Sequence, residues 1–322
     1  MKSILITGIS GFVGGHYTRF LLNTKKDVII HGISRSKPVW DFIKDRKKNL
    51  NSIHFYKFDL LDSTPLNRFM KDIQPDYILH LAALSSVAES WRTPVDSFCN
   101  NTTAFLNIVE AARNENPDCK ILSVGSSEVY GIVKNEDLPI PETYRLSPSN
   151  PYAAARLSQE YLAHIYAKGY NLNICCARSF NHIGPGQKDH FVVSSIAKQF
   201  ADISVNGKNP VINIGEGSII RDFLDVEDVI VAYNAIFEKG LSGETYNVCS
   251  GKGYSILDIV NSLSEITLIK ITIEQQKDLI RPVDNPVIIG NNHKIIEQTG
   301  WKPTIPFKAT LKKIFHYWCK HV

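Results

Sequence analysis

Short runs of β-branched and other apolar residues alternate with amphipathic stretches through the first half of the chain. Ser3–Thr7, Asp27–His31, Ile53–Phe58, Tyr77–Leu81 and Lys120–Val124 each read as a strand, and the segments between them place apolar residues at helical spacing. That order spells a βαβ series. The strands are almost continuously apolar, as a parallel sheet requires when helices cover both its faces. From about Phe180 the pattern changes: glycine, proline and asparagine become frequent and strict alternation lapses, although Glu244–Val248 still reads as a strand. The chain is therefore expected to be an α/β protein with a Rossmann-type doubly wound parallel sheet over residues 1–179. A smaller mixed α/β substrate-binding domain is expected over 180–322, with some segments returning to the first. No internal repeat, low-complexity tract or long linker divides the two parts.

Composition narrows the function. With 322 residues, 43% apolar and 21% charged, the chain can bury a large core and is not mainly disordered. A net charge of +4, evenly spread, is too small for a nucleic-acid partner but suits an anionic ligand. No apolar run is long enough to span a membrane, and the opening MKSILITG lacks the extended apolar stretch of a signal peptide. The six cysteines include no CxxC pair and no His/Cys ligand spacing, so a reduced, cytoplasmic protein without a metal is expected.

The first candidate chemistry follows the first strand directly, in Thr7-Gly8-Ile9-Ser10-Gly11-Phe12-Val13-Gly14. A strand, this loop and a helix are the context a dinucleotide needs: Gly8 for the tight turn, Gly11 for close approach of the pyrophosphate, Gly14 for helix–strand packing. Unpaired N–H groups and the positive dipole end of the helix then face the phosphates. After the second strand stands Ser34-Arg35-Ser36 with no acid, a set that grips a 2′-phosphate rather than a free ribose hydroxyl. This favours NADP(H), with NAD(H) as the alternative. Asp59-Leu60, after the third strand, is placed to cover adenine, and Asp59 has a competing role as a helix cap.

The second candidate site lies in Ser147–Arg156, where Tyr152 and Arg156 stand at i, i+4 near a helix start and so share one face. A tyrosine can move a hydroxyl proton if a nearby cation favours its ionised form. Upstream, a strand runs into Gly125-Ser126-Ser127-Glu128-Val129-Tyr130-Gly131, and Ser126 is placed to donate to a substrate oxygen.

Together the TGxxGxxG loop, His80-Leu81-Ala82-Ala83, Ser126-Ser127-Glu128 with Tyr130-Gly131, and the Tyr-x-x-x-basic helix resemble the extended short-chain dehydrogenase/reductase family of nucleotide-sugar enzymes over essentially the whole chain. Phe180–Gln187, Arg221-Asp222-Phe223, Arg281-Pro282 and Gly300–Pro303 resemble most the GDP-4-keto-6-deoxy-mannose reductases, with GDP-mannose 4,6-dehydratases as close cousins. The resemblance implies that Tyr152 is the acid/base group, Ser126 its hydroxyl partner, and Arg156 the occupant of the place where the family carries lysine. It further implies that Ser10, Phe12, Val13, Leu81, Ala82 and Ala83 line the cofactor, and that Ser85, Asn181, Arg221 and Arg281 contact a GDP-sugar. In dehydratases the residues matching Glu128 and Ser127 remove the C5 proton and help the C6 hydroxyl leave. A bland structural role for Glu128 stays open, as does an ion pair of Arg221 with Asp222 or Asp225. Three readings follow: a GDP-4-keto-6-deoxy-hexose reductase, a GDP-sugar 4,6-dehydratase, and a non-catalytic NADP(H) sensor suggested by the arginine at 156. A homodimer or higher homo-oligomer is expected for any of them.

Overall fold

The computed structural model describes residues 2–24, 27–40, 52–279 and 285–322. Its first half is β1 (Lys2–Thr7), α1 (Phe12–Thr24), β2 (Val28–Ile33), β3 (Ile53–Tyr56), α2 (Ser63–Ile73), β4 (Tyr77–His80), α3 (Val87–Arg92), α4 (Pro94–Glu115), β5 (Lys120–Val124), α5 (Pro151–Tyr170) and β6 (Asn173–Ser179). The second half is β7 (Asn181–Ile183), α6 (Val192–Asn206), β8 (Val211–Ile214), β9 (Ile220–Asp225), α7 (Val226–Lys239), β10 (Thr245–Val248), β11 (Gly253–Ser255), α8 (Ile256–Thr267), β12 (Thr272–Gln275), β13 (Val287–Ile288), α9 (His293–Thr299) and α10 (Phe307–Trp318). Seven strands pair in the order β10-β6-β5-β4-β1-β2-β3, all parallel. Among the described residues no helix is long and apolar enough to cross a membrane.

Strand alternation sends the apolar side chains to two cores. Ile4, Ile6 and Ile30 pack with Tyr17 and Leu21 of α1 and with Val229, Tyr233 and Phe237 of α7. Leu5, Ile33 and Ile78 pack on the other face with Leu66 and Phe69 of α2, Phe105 and Ile108 of α4, and Ala163 of α5. The sheet is thus doubly wound. Two strand ends differ from expectation by two residues, and four others by one. β2 continues past His31 to Ile33 because Gly32 leaves room for Ile9, whose Cδ1 would lie 2.3 Å from a Cβ at that position. β3 stops at Tyr56 rather than Phe58, where the Tyr56 carbonyl accepts from Ser34 N at 3.3 Å as the chain leaves the ladder.

A third core gathers Val193, Ile196 and Phe200 of α6, Ile259 and Leu263 of α8, and Leu311 and Ile314 of α10. Above it β9 pairs with β7 and β13 in parallel and with β11 antiparallel, while β8 and β12 form a separate parallel pair. The segment from residue 180 onward is not one block, since α7 and β10 return to the large sheet.

Helix α5 is tied down at its start and at its middle. Asn150 caps it by accepting from Ala153 N at 2.8 Å, and Pro151 occupies the first turn, where its missing N–H costs nothing. Farther along, Glu160 accepts two bonds from Arg178 of β6, at 3.0 and 2.6 Å, with both side chains at 5% exposure or less. Arg178 also donates to the Tyr130 hydroxyl and the Glu142 carbonyl, both at 2.8 Å. Removing one member of a buried pair leaves an uncompensated charge. Glu160→Ala is therefore expected to lower the unfolding free energy by about 3–5 kcal/mol in a denaturant titration; a loss below about 1 kcal/mol, the range of exposed pairs, would show the pair to be dispensable.

Candidate active site

The glycine loop is shaped by what its glycines lack. Gly8 turns the chain at φ +71°, and a Cβ there would lie 2.9 Å from the backbone of Ala82. A Cβ on Gly14 would lie 2.7 Å from the Ile9 carbonyl oxygen, so α1 can reach the turn only with glycine there. Gly11 is exposed and leaves backbone open to an approaching ligand. The first turn of α1 holds no acid. This cradle fits a dinucleotide pyrophosphate. Phe12 stacks on His182 with ring centres 6.1 Å apart, and His16 Nε2 donates to the Pro185 carbonyl at 2.9 Å, so the start of α1 faces β7 and the segment after it.

At the end of β2, the Ser34 hydroxyl donates to the Ser36 carbonyl at 2.8 Å, and the Ser36 and Ser10 hydroxyls stand 3.5 Å apart. Arg35 is exposed, and its Nη1 makes a long 3.5 Å bond to Asn100 Oδ1. Ser10, Arg35 and Ser36 thus form one polar rim. Asp59 accepts from Leu61 N at 3.0 Å, but the cap of α2 is Asp62. Leu60 is buried in the same core as Leu66 and Phe69. Beyond β4, Thr7 Oγ1 bonds His80 Nδ1 at 3.0 Å and accepts from Ala82 N at 3.3 Å, which fixes the Leu81-Ala82-Ala83 turn beside Gly8. Burial, and then the Arg156 charge, pushes His80 down to about 3, so it stays neutral near pH 7. Asn101, which sequence reading did not single out, brackets Leu84 through both its backbone groups. Ser85 follows, exposed.

At the carboxyl end of β5, Ser126 Oγ accepts from Glu128 N at 3.2 Å, which leaves its own proton free to donate. Ser127 is buried. Glu128 Oε2 accepts from Asn150 Nδ2 at 3.0 Å, and Asn150 is the cap of α5. Tyr152 lies buried on the first turn of that helix, with the Arg156 guanidinium carbon 5.2 Å from its ring centre. Arg156 Nη1 donates to the Val124 carbonyl at 3.1 Å and to Gln159 Oε1 at 2.8 Å. Tyr152 and Arg156 therefore meet below the end of β5, two residues before Ser126. Asn150 and Gln159 were legible only as a cap signal ahead of Pro151 and as a polar residue seven positions after Tyr152 on the same face.

The candidate sugar contacts are more dispersed. Asn181 is exposed at the start of β7. Arg221, buried on the neighbouring β9, donates to the Asn285 carbonyl at 2.6 Å and the Ile220 carbonyl at 2.8 Å. The two acids beside it in sequence have other partners: Asp222 accepts from Ser250 and Gly251, and Asp225 from Thr310 and Glu227 N. Arg281 lies outside the described residues. Among the described residues no group of three or more His, Cys, Asp or Glu side chains could hold a metal ion.

Comparison with known proteins places the whole chain among nucleotide-sugar enzymes. Residues 5–314 match the family described as GDP-mannose 4,6 dehydratase. The GDP-6-deoxy-D-mannose reductase of Pseudomonas aeruginosa is 31% identical over 317 residues, covering 98% of this chain and 97% of that protein. The GDP-mannose 4,6 dehydratase 1 of Arabidopsis thaliana is 28% identical over 97% of this chain and 88% of its own. Among solved structures, the NADPH complex of the Pseudomonas aeruginosa protein RMD superposes with a TM-score of 0.86 at 31% identity, covering 100% of both chains.

The wall beside Arg221 depends on Asp222. Its carboxylate, fully buried, accepts from Ser250 N, Ser250 Oγ, Gly251 N and Gly290 N, at 2.7, 2.7, 2.9 and 3.3 Å. Burial pushes its carboxyl up to about 6, although these bonds pull the other way. The folded state then holds this proton more tightly than the unfolded chain. The group's contribution to stability is thus present below about pH 4 and is lost as pH rises through about 6. Against Asp222→Asn, which lacks the titration, the wild-type protein should gain stability on acidification from pH 7 to pH 4 by about 2–3 kcal/mol, read from unfolding free energies. Parallel pH curves would refute this.

Proposed function

This chain belongs to the GDP-mannose 4,6-dehydratase family, and from that premise we propose that it is an NADP(H)-dependent reductase of a GDP-linked 4-keto-6-deoxy-hexose. The observation that carries the reading is the buried Tyr152 with the Arg156 guanidinium over its ring, tied by Arg156 to Val124 just before Ser126. The full-length likeness to a GDP-6-deoxy-D-mannose reductase supports the substrate class. When bound, NADP(H) supplies the hydride that goes to C4 of the sugar. Tyr152 gives its phenolic proton to the C4 oxygen, Ser126 donates a hydrogen bond to that oxygen, and Arg156 stabilises the negative charge left on the phenol. Asn181, Arg221 and Arg281 receive the diphosphate and nucleotide, so the segment from residue 180 onward supplies most of the substrate's wall. Ser34, Arg35 and Ser36 take the 2′-phosphate.

A 4,6-dehydratase is the second reading, favoured by Glu128, which stands in the turn after β5 at the position that the resemblance gives to the C5 base. Asn150 donates to that carboxylate and thereby gives it a second use as an anchor for α5, which suits a reductase that moves no C5 proton.

We also propose that two copies associate through α4 and α5. Val95, Phe98, Tyr161 and Ile165 are exposed there, and Pro94, Val95, Phe98, Cys99, Pro151 and Ala154 line an open apolar groove between the two helices. An exposed apolar surface of this kind marks an interface. The six cysteines are all free, which suits a reducing compartment such as the cytoplasm.

Incubating the protein with a GDP-4-keto-6-deoxy-hexose and NADPH, and resolving products by mass, should show the gain of two hydrogens. Tyr152→Phe should lower turnover by roughly 10²–10⁴-fold with NADPH binding retained, and Arg35→Ala should weaken NADPH far more than NADH. Loss of water from GDP-mannose instead would establish the dehydratase. Sedimentation should find a dimer that Phe98→Glu dissociates; a wild-type monomer at working concentration would sink the proposed association.

A further inference from the structure

A guanidinium is wider than the compact ammonium it replaces and donates only in its own plane, so an arginine at position 156 needs something to hold that plane. Tyr152, Arg156 and Gln159 stand at i, i+4 and i+7 of α5, on one face. Gln159 has no exposed surface at all, and its amide is used at both ends. Oε1 accepts from Arg156 Nη1 at 2.8 Å, while Nε2 donates to Ser123 Oγ at 2.8 Å and to the Val124 carbonyl at 3.3 Å. Val124 O in turn accepts from the same Arg156 Nη1 at 3.1 Å. One nitrogen of a planar group is thus pinned at two points. The plane is held where the guanidinium carbon lies 5.2 Å from the centre of the Tyr152 ring.

From this geometry we infer that Gln159 is a positioning residue for the reaction: it clamps Arg156 over Tyr152 and so makes an arginine serviceable where the family carries lysine. The inference rests on the proposed role of Tyr152. Gln159 bonds no group that would meet substrate; it acts through Arg156. Its neutrality matters as much as its reach. A carboxylate of the same shape would still accept from the guanidinium, but it would cancel the charge that Tyr152 feels and lose the donor to Ser123 and the Val124 carbonyl. An apolar side chain would take from Arg156 Nη1 a buried acceptor, and from Ser123 and Val124 a donor, releasing the plane.

The test compares Gln159→Glu and Gln159→Leu in the wild-type and Arg156→Ala backgrounds, measuring kcat, KM for the keto sugar, the thermal midpoint and the ring resonances of isotope-labelled Tyr152, the last assigned with Tyr152→Phe. Gln159→Glu, which keeps the acceptor for Arg156 but loses the donor to Ser123 and the Val124 carbonyl, should lower the thermal midpoint and should lower kcat by roughly tenfold or more with KM nearly unchanged. Neither Gln159 substitution should lower kcat further by more than about twofold once Arg156 is alanine, because residues acting through one partner are not additive. In the free protein, Gln159→Leu should move the Tyr152 ring resonances only while Arg156 is present. A Gln159→Glu enzyme with wild-type kcat, equal losses in both backgrounds, or unmoved Tyr152 resonances would overturn the inference. If Tyr152→Phe itself keeps full turnover, it is the proposed role of Tyr152 that fails; if Tyr152→Phe is inactive while the Gln159 variants are indifferent, only the clamp fails.

Discussion

The position of helix α5 rests on the buried pair of Glu160 and Arg178, and most of what surrounds the candidate site depends on that position. The pair joins the helix to β6, and Arg178 extends it to Tyr130 and Glu142, so the turn after β5 is held by the same charge. Tyr130 passes the contact on to Asn247 at 2.7 Å, which brings in β10. A buried ion pair of this kind contributes little net stability compared with apolar packing, because desolvation offsets its attraction. What it does supply is register: a slide of the helix by one turn, about 5.4 Å, would strand both charges. Tyr152 lies a little over two turns earlier on the same rod.

Along that rod, buried polar side chains stand among the apolar ones that pack on the sheet. Asn150 joins the helix start to Glu128, Arg156 and Gln159 join its second and third turns to Val124 and Ser123, and Glu160, also in the third turn, joins it to Arg178. Each bond reaches the end of β5, the turn that follows it, or the adjoining β6. The consequence is a helix whose Tyr152-bearing face is set by directional bonds as well as by packing, which suits the role proposed for that phenol. Glu128 fits the same scheme. Its carboxylate supports the cap that starts the helix, and this use is independent of whether it ever removes a proton.

The opposite wall is governed by sterics instead. A Cβ on Gly8 would lie 2.9 Å from the backbone of Ala82 and one on Gly14 2.7 Å from the Ile9 carbonyl oxygen, so glycine at these positions lets the loop close on the turn after β4 and α1 close on the loop. Phe12 and His16 then dock on β7 and the segment after it. The cofactor loop and the segment that would meet the sugar are therefore neighbours by direct contact, not merely by topology.

Patterns that repeat locally were legible in the chain itself. Alternation of apolar runs with amphipathic stretches predicts the βαβ order and the parallel sheet, because each element's periodicity is set by its own geometry. The glycine loop, the Tyr152/Arg156 spacing and the absence of an acid after β2 are likewise local, and the structure places Ser10 beside Ser36 and Arg156 over Tyr152. What the sequence could not show are partnerships between residues far apart along the chain. Nothing in the run around Gln159 indicates that its amide will meet Ser123 and Val124, some 36 and 35 residues away. Nor does Arg221-Asp222-Phe223 reveal that arginine and aspartate turn to different partners, Asn285 and Ser250, instead of to each other. Such choices are made when burial removes water as the competing partner, so that each polar group must take whatever the packed chain brings within reach. The sequence by itself determined the elements, their order and the reactive residue types, since these follow from short-range geometry and chemistry; only the tertiary structure decided which buried groups hold Arg156 and Arg221 in place.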